Sequence, residues 1–433
     1  MGNTLKISIT AATIAGALLA STPVHAVDPA SLVAKSSLMQ TGTAAADELN
    51  RAMGGQRDAV KRMDIYAKFE FSPALRPKLK AVFGNERPFP LVRSAGPKGQ
   101  VIYTSKLMPH AYLDENGSAF SWSEINSRSV ANKAGTTLDT KMSMQSLSVV
   151  GTATAAMLEN LSGDFKETRG ADGIWYGDFK AKLGSLAIRA ADAGGTDLKE
   201  AVRFEDLAGY TSINRRGKKV DVVYGSSIQS IRFGGERVER ANLAIRVVNL
   251  PAQAMADMEK ELERLQHSGL PDDAQTVVMT KSVLGFAKGL LAKGVSIIVD
   301  DISASYRGNT ASIKGRIDFD KLVETDFKSP TEFANKIVAR LDLRLPVAMV
   351  NDVSRAVAGK QVDASAPNAA EQIDTAGKNL AAVVIGKLVN EGYALMEKGE
   401  LRSTFELKNG KVTFNGKSVA VPSVPAPATA PAP

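Results

Sequence analysis

The chain contains no cysteine. No disulfide can staple it, and it offers no thiol for catalysis, redox chemistry or lipid attachment, which excludes thiol enzymes and bacterial lipoproteins. Histidine is nearly as scarce, with only His25, His110 and His267. Scattered histidines without cysteine supply no ligand set for a zinc centre. No G-x-S-x-G elbow, P-loop or G-x-G-x-x-G element occurs, so the common signatures of serine hydrolases and nucleotide-binding folds are missing. Asp114-Glu115-Asn116-Gly117 lacks the remaining ligands of a calcium loop and reads as a turn. Long apolar runs are absent as well: the one near the start, Ile7 to Ala20, is shorter than the roughly 20 residues a membrane-spanning helix needs.

That short run has its own meaning. Lys6 is the sole charge before it, and Val24-His25-Ala26 fits a small-residue cleavage site. Residues 1–26 therefore read as a signal peptide cleaved after Ala26, delivering the chain to the periplasm. The remainder has an ordinary globular composition, 44% hydrophobic and 23% charged. A formal net charge of +8 slightly favours an anionic partner or surface. Export, and the lack of an aromatic stacking platform, argue against nucleic acid.

The chain is organised around Val220–Leu265. Val220, Val222 and Tyr224 share one strand face. Gly234-Gly235 suits a hairpin turn, and the return strand sets Leu243, Ile245 and Val247 against Asn242, Ala244 and Arg246. Leu250-Pro251 then starts a helix with Met255, Met258, Leu262 and Leu265 as its apolar stripe. A second copy follows. Ile302, Ala304 and Tyr306 turn through Arg307-Gly308-Asn309-Thr310 into Ile313, Gly315, Ile317 and Phe319. After a helical insertion, Leu341, Leu343 and Leu345 alternate, and Pro346 opens a helix with Val347, Val350, Val353 and Val357 inward.

Elsewhere, residues 27–65 form an Ala-rich helical segment interrupted at Gly54-Gly55. Tyr66 to Phe71 alternates as a strand closed by Ser72-Pro73. Residues 66–190 are β-rich, with short strand signals at Phe120–Trp122, Met142–Leu147, Ile174–Gly177 and Leu183–Ile188. Residues 191–421 carry the repeated hairpin–helix units. Within them, Asp300-Asp301 reads as a strand edge or turn, and Leu380, Val384 and Leu388 line a late helix. In the last hairpin, Leu401, Ser403, Phe405 and Leu407 alternate with charged residues ahead of Asn409-Gly410, the preferred type I′ pair. Residues 422–433 are an extended Pro/Ala tail. The fold class is α+β, an extended antiparallel sheet of repeated hairpins with helices packed on one face.

Chemistry-bearing residues are few. Arg215, Arg216, Lys218 and Lys219 form the densest basic cluster, a candidate contact for anionic lipid headgroups, although basic hairpin turns also serve as solvated edge protection. Asp318 and Asp320 share a strand face with Lys314 and Arg316, as a solvated sheet surface would. No catalytic residue, metal ligand or cofactor site is expected. The hairpin-to-helix unit, with Asn242-Leu243 to Asn249-Leu250, Gly392-Tyr393, Gly410-Lys411-Val412 and Asn415-Gly416-Lys417, resembles the YdgA-like family of bacterial envelope proteins of unknown function. The resemblance implies an exported, sheet-rich envelope protein, though such proteins often keep an N-terminal anchor. The leading expectation is a non-enzymatic protein that binds or carries a lipid or other hydrophobic molecule. The alternatives are a protein–protein scaffold of the envelope and, third, an envelope hydrolase.

Overall fold

The computed structural model describes residue 33 and residues 36–419, apart from 192–194, 196, 267–271 and 364. The expected signal peptide, His267 and the Pro/Ala tail lie outside the described residues. The chain divides into two compact units, residues 1–287 and 288–433. Among the described residues, the strand pairings within each unit are antiparallel.

The first unit opens with α1 (Ser37–Met53), α2 (Ala59–Lys68) and α3 (Arg76–Phe83). Ser36 caps α1, Gly54 ends it with a positive φ, and Asp58 caps α2. The strand expected at Tyr66–Phe71 is not formed. Asp58 starts a helical run that holds Tyr66, Ala67 and Lys68, leaving Phe69 to Phe71 outside the helix, where Phe69 and Phe71 pack with Leu75 and Leu79. Eleven strands follow. These are β1 (Leu91–Ala95), β2 (Val101–Leu107), β3 (His110–Leu113), β4 (Ala119–Trp122), β5 (Ile125–Ala131), β6 (Thr137–Val150), β7 (Thr154–Arg169), β8 (Trp175–Ala191), β9 (Leu198–Arg216), β10 (Lys219–Phe233) and β11 (Glu236–Pro251). From β6 onward they form a meander of neighbours, each 14–19 residues long. At ~3.3 Å per residue such strands span roughly 45–60 Å. β4 and β5 lie end to end against β6, at Leu147–Val150 and Leu138–Met144.

A transverse crease crosses these strands. In a flat strand residues i and i+3 face opposite sides, yet here such pairs share a core: Trp122 with Ile125, Met144 with Leu147, Leu158 with Leu161, Leu183 with Leu186, Phe204 with Leu207 and Ile228 with Ile231. At each of these points between β6 and β11 the ladder skips one facing pair. Met144 pairs Leu161 and the next pair is Ser146–Glu159; Leu207 pairs Ile228 and the next is Glu205–Ser230. Left-handed residues sit on alternate strands in this row, Asn160 (φ 57°), Asp206 (φ 48°) and Arg240 (φ 50°). Each reverses the facing of the residues after it, so one sheet face stays apolar on both sides of the crease.

Two of the helices pack against these strands. Phe83 of α3 packs with Leu107, Phe120, Trp122, Met144 and Val149, and Ala59 of α2 with Ala131, Leu138 and Trp175. The Leu183–Leu207 core draws only on strands β7 to β10 among the described residues. After Pro251, α4 (Ala252–Gln266) buries Ala252, Ala256 and Leu265, with Met255, Met258 and Leu262 half-buried. Helix α5 (Asp272–Leu291) follows.

The second unit holds β12 (Ser296–Tyr306), β13 (Asn309–Phe319), α6 (Pro330–Asn335), β14 (Ile337–Pro346), α7 (Val347–Gly359), α8 (Ala369–Asn390), β15 (Leu395–Glu397), β16 (Glu400–Lys408), β17 (Lys411–Phe414) and β18 (Lys417–Val419). The pairing runs β12–β13–β14–β16–β17–β18, with β15 also on β16. The turns at Arg307-Gly308, Asn409-Gly410 and Asn415-Gly416 are as expected. Asp300-Asp301 is not a turn; it forms a bulge inside β12, where the register shifts between Val299 and Ile302. The helix faces also differ from expectation. α7 turns Val350, Ser354 and Ala358 inward while Val353 and Val357 are exposed. α8 meets it through Gly377 and Ala381, leaving Leu380 and Val384 outside. The reason is close approach: a Cβ at Gly377 would sit only 2.8 Å from the Arg355 Cα, so the helices meet along small residues.

Candidate functional site

The basic cluster sits on the β9–β10 hairpin turn, and half of its charge is matched. Arg215 pairs with Asp172 at 3.1 Å, and its guanidinium lies 6.0 Å from the Tyr176 ring centroid. The Tyr176 hydroxyl donates to Asp172 at 2.6 Å, and burial, that hydrogen bond and the carboxylate charge push its pKa up. Arg216 pairs with Asp221 at 2.5 Å, and Lys219 donates to Asn249 Oδ1 at 3.2 Å. Lys218 is exposed, with no side-chain partner among the described residues. Each residue adds charge to the turn, but Asp172 and Asp221 consume two of the four.

Behind this turn lies an ionic group that sequence reasoning missed. Glu167 on β7 is 3% exposed. Arg62 on α2 interacts with it and with Glu259 on α4, and burial drives the Arg62 pKa down against the pull of both carboxylates. Glu259 also acts on Tyr176. The group therefore ties two helices to the strands. Its members lie far apart in sequence and carry no shared motif, so only a charged residue at an apolar-parity position, Glu167 two residues after buried Phe165, could have signalled it.

In the second unit the two sheet faces have opposite chemistry. One carries an ion-pair ladder: Arg316–Asp318 (2.8 Å), Arg340–Glu406 (2.9 Å), Arg344–Glu400 (2.9 Å) and Arg402–Glu400 (2.9 Å). Asp318 also accepts from Ser296 at 2.5 Å, and the Arg316 hydrogen bonds hold its carboxyl below the usual range, so it serves the ladder. Asp320 lies beyond the end of β13. The other face aligns Ile302, Ile313 and Leu343 in one row, and Gly315, Leu341, Phe405 and Phe414 in another. These side chains are half-buried. α7 and α8 close only the end of this face, where Leu345 and Leu401 pack with Val350 and Ala381.

Other chemical candidates resolve into structure. His110 lies 5.6 Å from the Trp122 ring and against Gly84. Asp114, 5% exposed, accepts from the Ser37 backbone N–H at 3.0 Å and from its hydroxyl, tying the start of α1 to the β3–β4 turn. A polar groove of about 480 Å³ beside the crease is lined by Glu124, Asn126, Gln145, Asn160 and Ser162, among others. Among the described residues no group of three or more carboxylates, histidines or cysteines is placed to hold a metal, and no helix is long and apolar enough to cross a membrane.

No curated protein and no solved structure matches the chain. A family described as bacterial protein of unknown function, DUF945, matches residues 60–422, from α2 to just beyond β18. The likeness to YdgA-like proteins is compatible with that match. The meander, the crease and the repeated hairpins thus all fall within one family's span, and the chain belongs to the bacterial family DUF945.

Proposed function

We propose that this is an exported envelope protein without catalytic activity, which binds or carries a lipid or other hydrophobic molecule on the apolar face of the second unit's sheet. Leu345 and Leu401 at one end of that face pack with Val350 and Ala381, while the side chains of its middle rows are half-buried. One observation carries the reading: Ile313, Leu341, Leu343, Phe405 and Phe414 line a continuous apolar strip that is only half-buried, although the opposite face is saturated with ion pairs. An acyl chain makes no demand for hydrogen bonds and gains about 0.8 kcal/mol per buried CH₂, so such a strip suits it.

The test is lipid extraction and mass spectrometry of protein isolated from the periplasm of a producing bacterium, alongside Leu341→Asn and Phe405→Ser variants. Wild type should carry a stoichiometric hydrophobic molecule that the variants lose. Protein that emerges lipid-free, and binds no added fluorescent fatty acid, would refute the carrier reading.

A further inference from the structure

The crease of the first unit carries a row of polar side chains. The facing pairs that the ladders skip are Gln145–Asn160, Asn160–Gly184, Gly184–Asp206, Asp206–Gln229 and Gln229–Arg240, one residue from each strand from β6 to β11. At ~4.8 Å between strands the row runs roughly 24 Å across the sheet. All but Gly184 are exposed, and among the described residues none of the five side chains has a hydrogen-bond or ion-pair partner. The row begins in the groove of about 480 Å³, where Gln145 and Asn160 share the lining with Glu124, Asn126 and Ser162.

Backbone geometry alone does not account for these residues. Asn160, Asp206 and Arg240 hold a left-handed φ that glycine would adopt at less cost, and that is uncommon for arginine. Each position nevertheless keeps a side chain that can hydrogen-bond. Left-handed residues held against that preference cluster at ligand clamps. Gly184 makes room for one of them, since a Cβ there would come 3.1 Å from the Asn160 Cβ.

The chemistry of the row selects the ligand. The Gln and Asn amides both donate and accept, Asp206 accepts, and Arg240 donates, with charges that cancel. An acyl chain would leave all of them unpaired. Asp206, and Glu159 in the neighbouring row, repel a phosphate backbone. An extended peptide adds to a free sheet edge, whereas β6 to β10 are paired on both sides. A chain of hydroxyl groups donates and accepts along its whole length and fits the row.

We propose that the exposed side of the crease is a binding groove for an uncharged oligosaccharide, which lies across the strands and exchanges hydrogen bonds with Gln145, Asn160, Asp206, Gln229 and Arg240. The proposal concerns the first unit and does not rest on the apolar strip of the second.

The test is isothermal titration calorimetry of the purified full chain with linear hexasaccharides of glucose, mannose and N-acetylglucosamine, the matching disaccharides, and the anionic hexamer of galacturonate. At least one neutral hexasaccharide should bind, and more tightly than its disaccharide, because it reaches more of the row. Asn160→Gly with Asp206→Gly removes two side chains but suits the left-handed backbone, so the melting temperature should hold while binding weakens about tenfold or more, each lost hydrogen bond counting for roughly 2–10-fold. Gln145→Ala with Gln229→Ala should weaken it similarly without touching the left-handed positions. No binding of any neutral hexasaccharide, preference for the galacturonate hexamer, or binding that survives both pairs of changes would each overturn the proposal.

Discussion

Replacing Arg62 by methionine isolates the buried ionic group. Glu167, 3% exposed, would then lose the favourable charge interaction with Arg62. Stripping a buried charge of every counter-charge costs about 3–5 kcal/mol. Arg62 is only half-buried and other contacts of Glu167 remain, so the expected loss is about 1–3 kcal/mol. For a unit of this size that is a fall of roughly 2–12 °C in melting temperature, read by calorimetry or circular dichroism. Arg62→Met combined with Glu167→Leu should recover most of the stability, since an apolar pair needs no desolvation offset. Arg62→Met within about 0.5 kcal/mol of wild type would refute the idea that Arg62 and Glu167 are coupled.

Asp114→Ala should destabilise the α1 attachment by roughly 1.5–3 kcal/mol in chemical denaturation, the range for hydrogen bonds to a charged group. Burial alone would raise the Asp114 pKa, but the hydrogen bonds from Ser37 and Asn116 overcome it and hold it low. Its contribution is therefore present above the unfolded value near 4 and lost as pH falls through the lower folded one. Tyr103 is pushed up to about 12, chiefly by burial and then by its hydrogen bond to Asp64. Ultraviolet titration should show several late-ionising phenols, of which that of Tyr103 moves part of the way back in Asp64→Asn, and the stability owed to Tyr103 should fall as pH rises from about 10 toward that value. Asn160→Val should cost about 1–2 kcal/mol in thermal melts, because a β-branched residue resists the left-handed conformation of the crease; a neutral result would show that the sheet does not depend on it.

Much of the second unit was legible in the sequence because its rules are local. Ile313 to Phe319, Leu341 to Leu345 and Leu401 to Leu407 alternate against residues that pair as ions across neighbouring strands, and Asn409-Gly410 closes a hairpin through backbone preference alone. The first unit read as shorter pieces. Leu183 and Leu186 look out of phase, so Trp175–Ala191 seemed two strands when it is one. The spacing of three that recurs at Trp122–Ile125, Met144–Leu147 and Phe204–Leu207 was visible, but it means a crease only once the strands are seen aligned.

Helix faces were misjudged for a related reason. Val353 and Val357 suit an inward stripe by hydrophobicity, yet α7 meets α8 along Gly377 and Ala381, where small residues permit close contact. The sequence by itself thus determined the antiparallel hairpins, their turns and the wet face of the second unit, since these depend on neighbours a few residues away. Tertiary structure alone decided that the charges of Glu167 and Glu259 act on Arg62, and that Asp172 and Asp221 pair with two of the four basic residues of the hairpin turn. Those outcomes rest on residues brought together from distant parts of the chain, and no local periodicity encodes them.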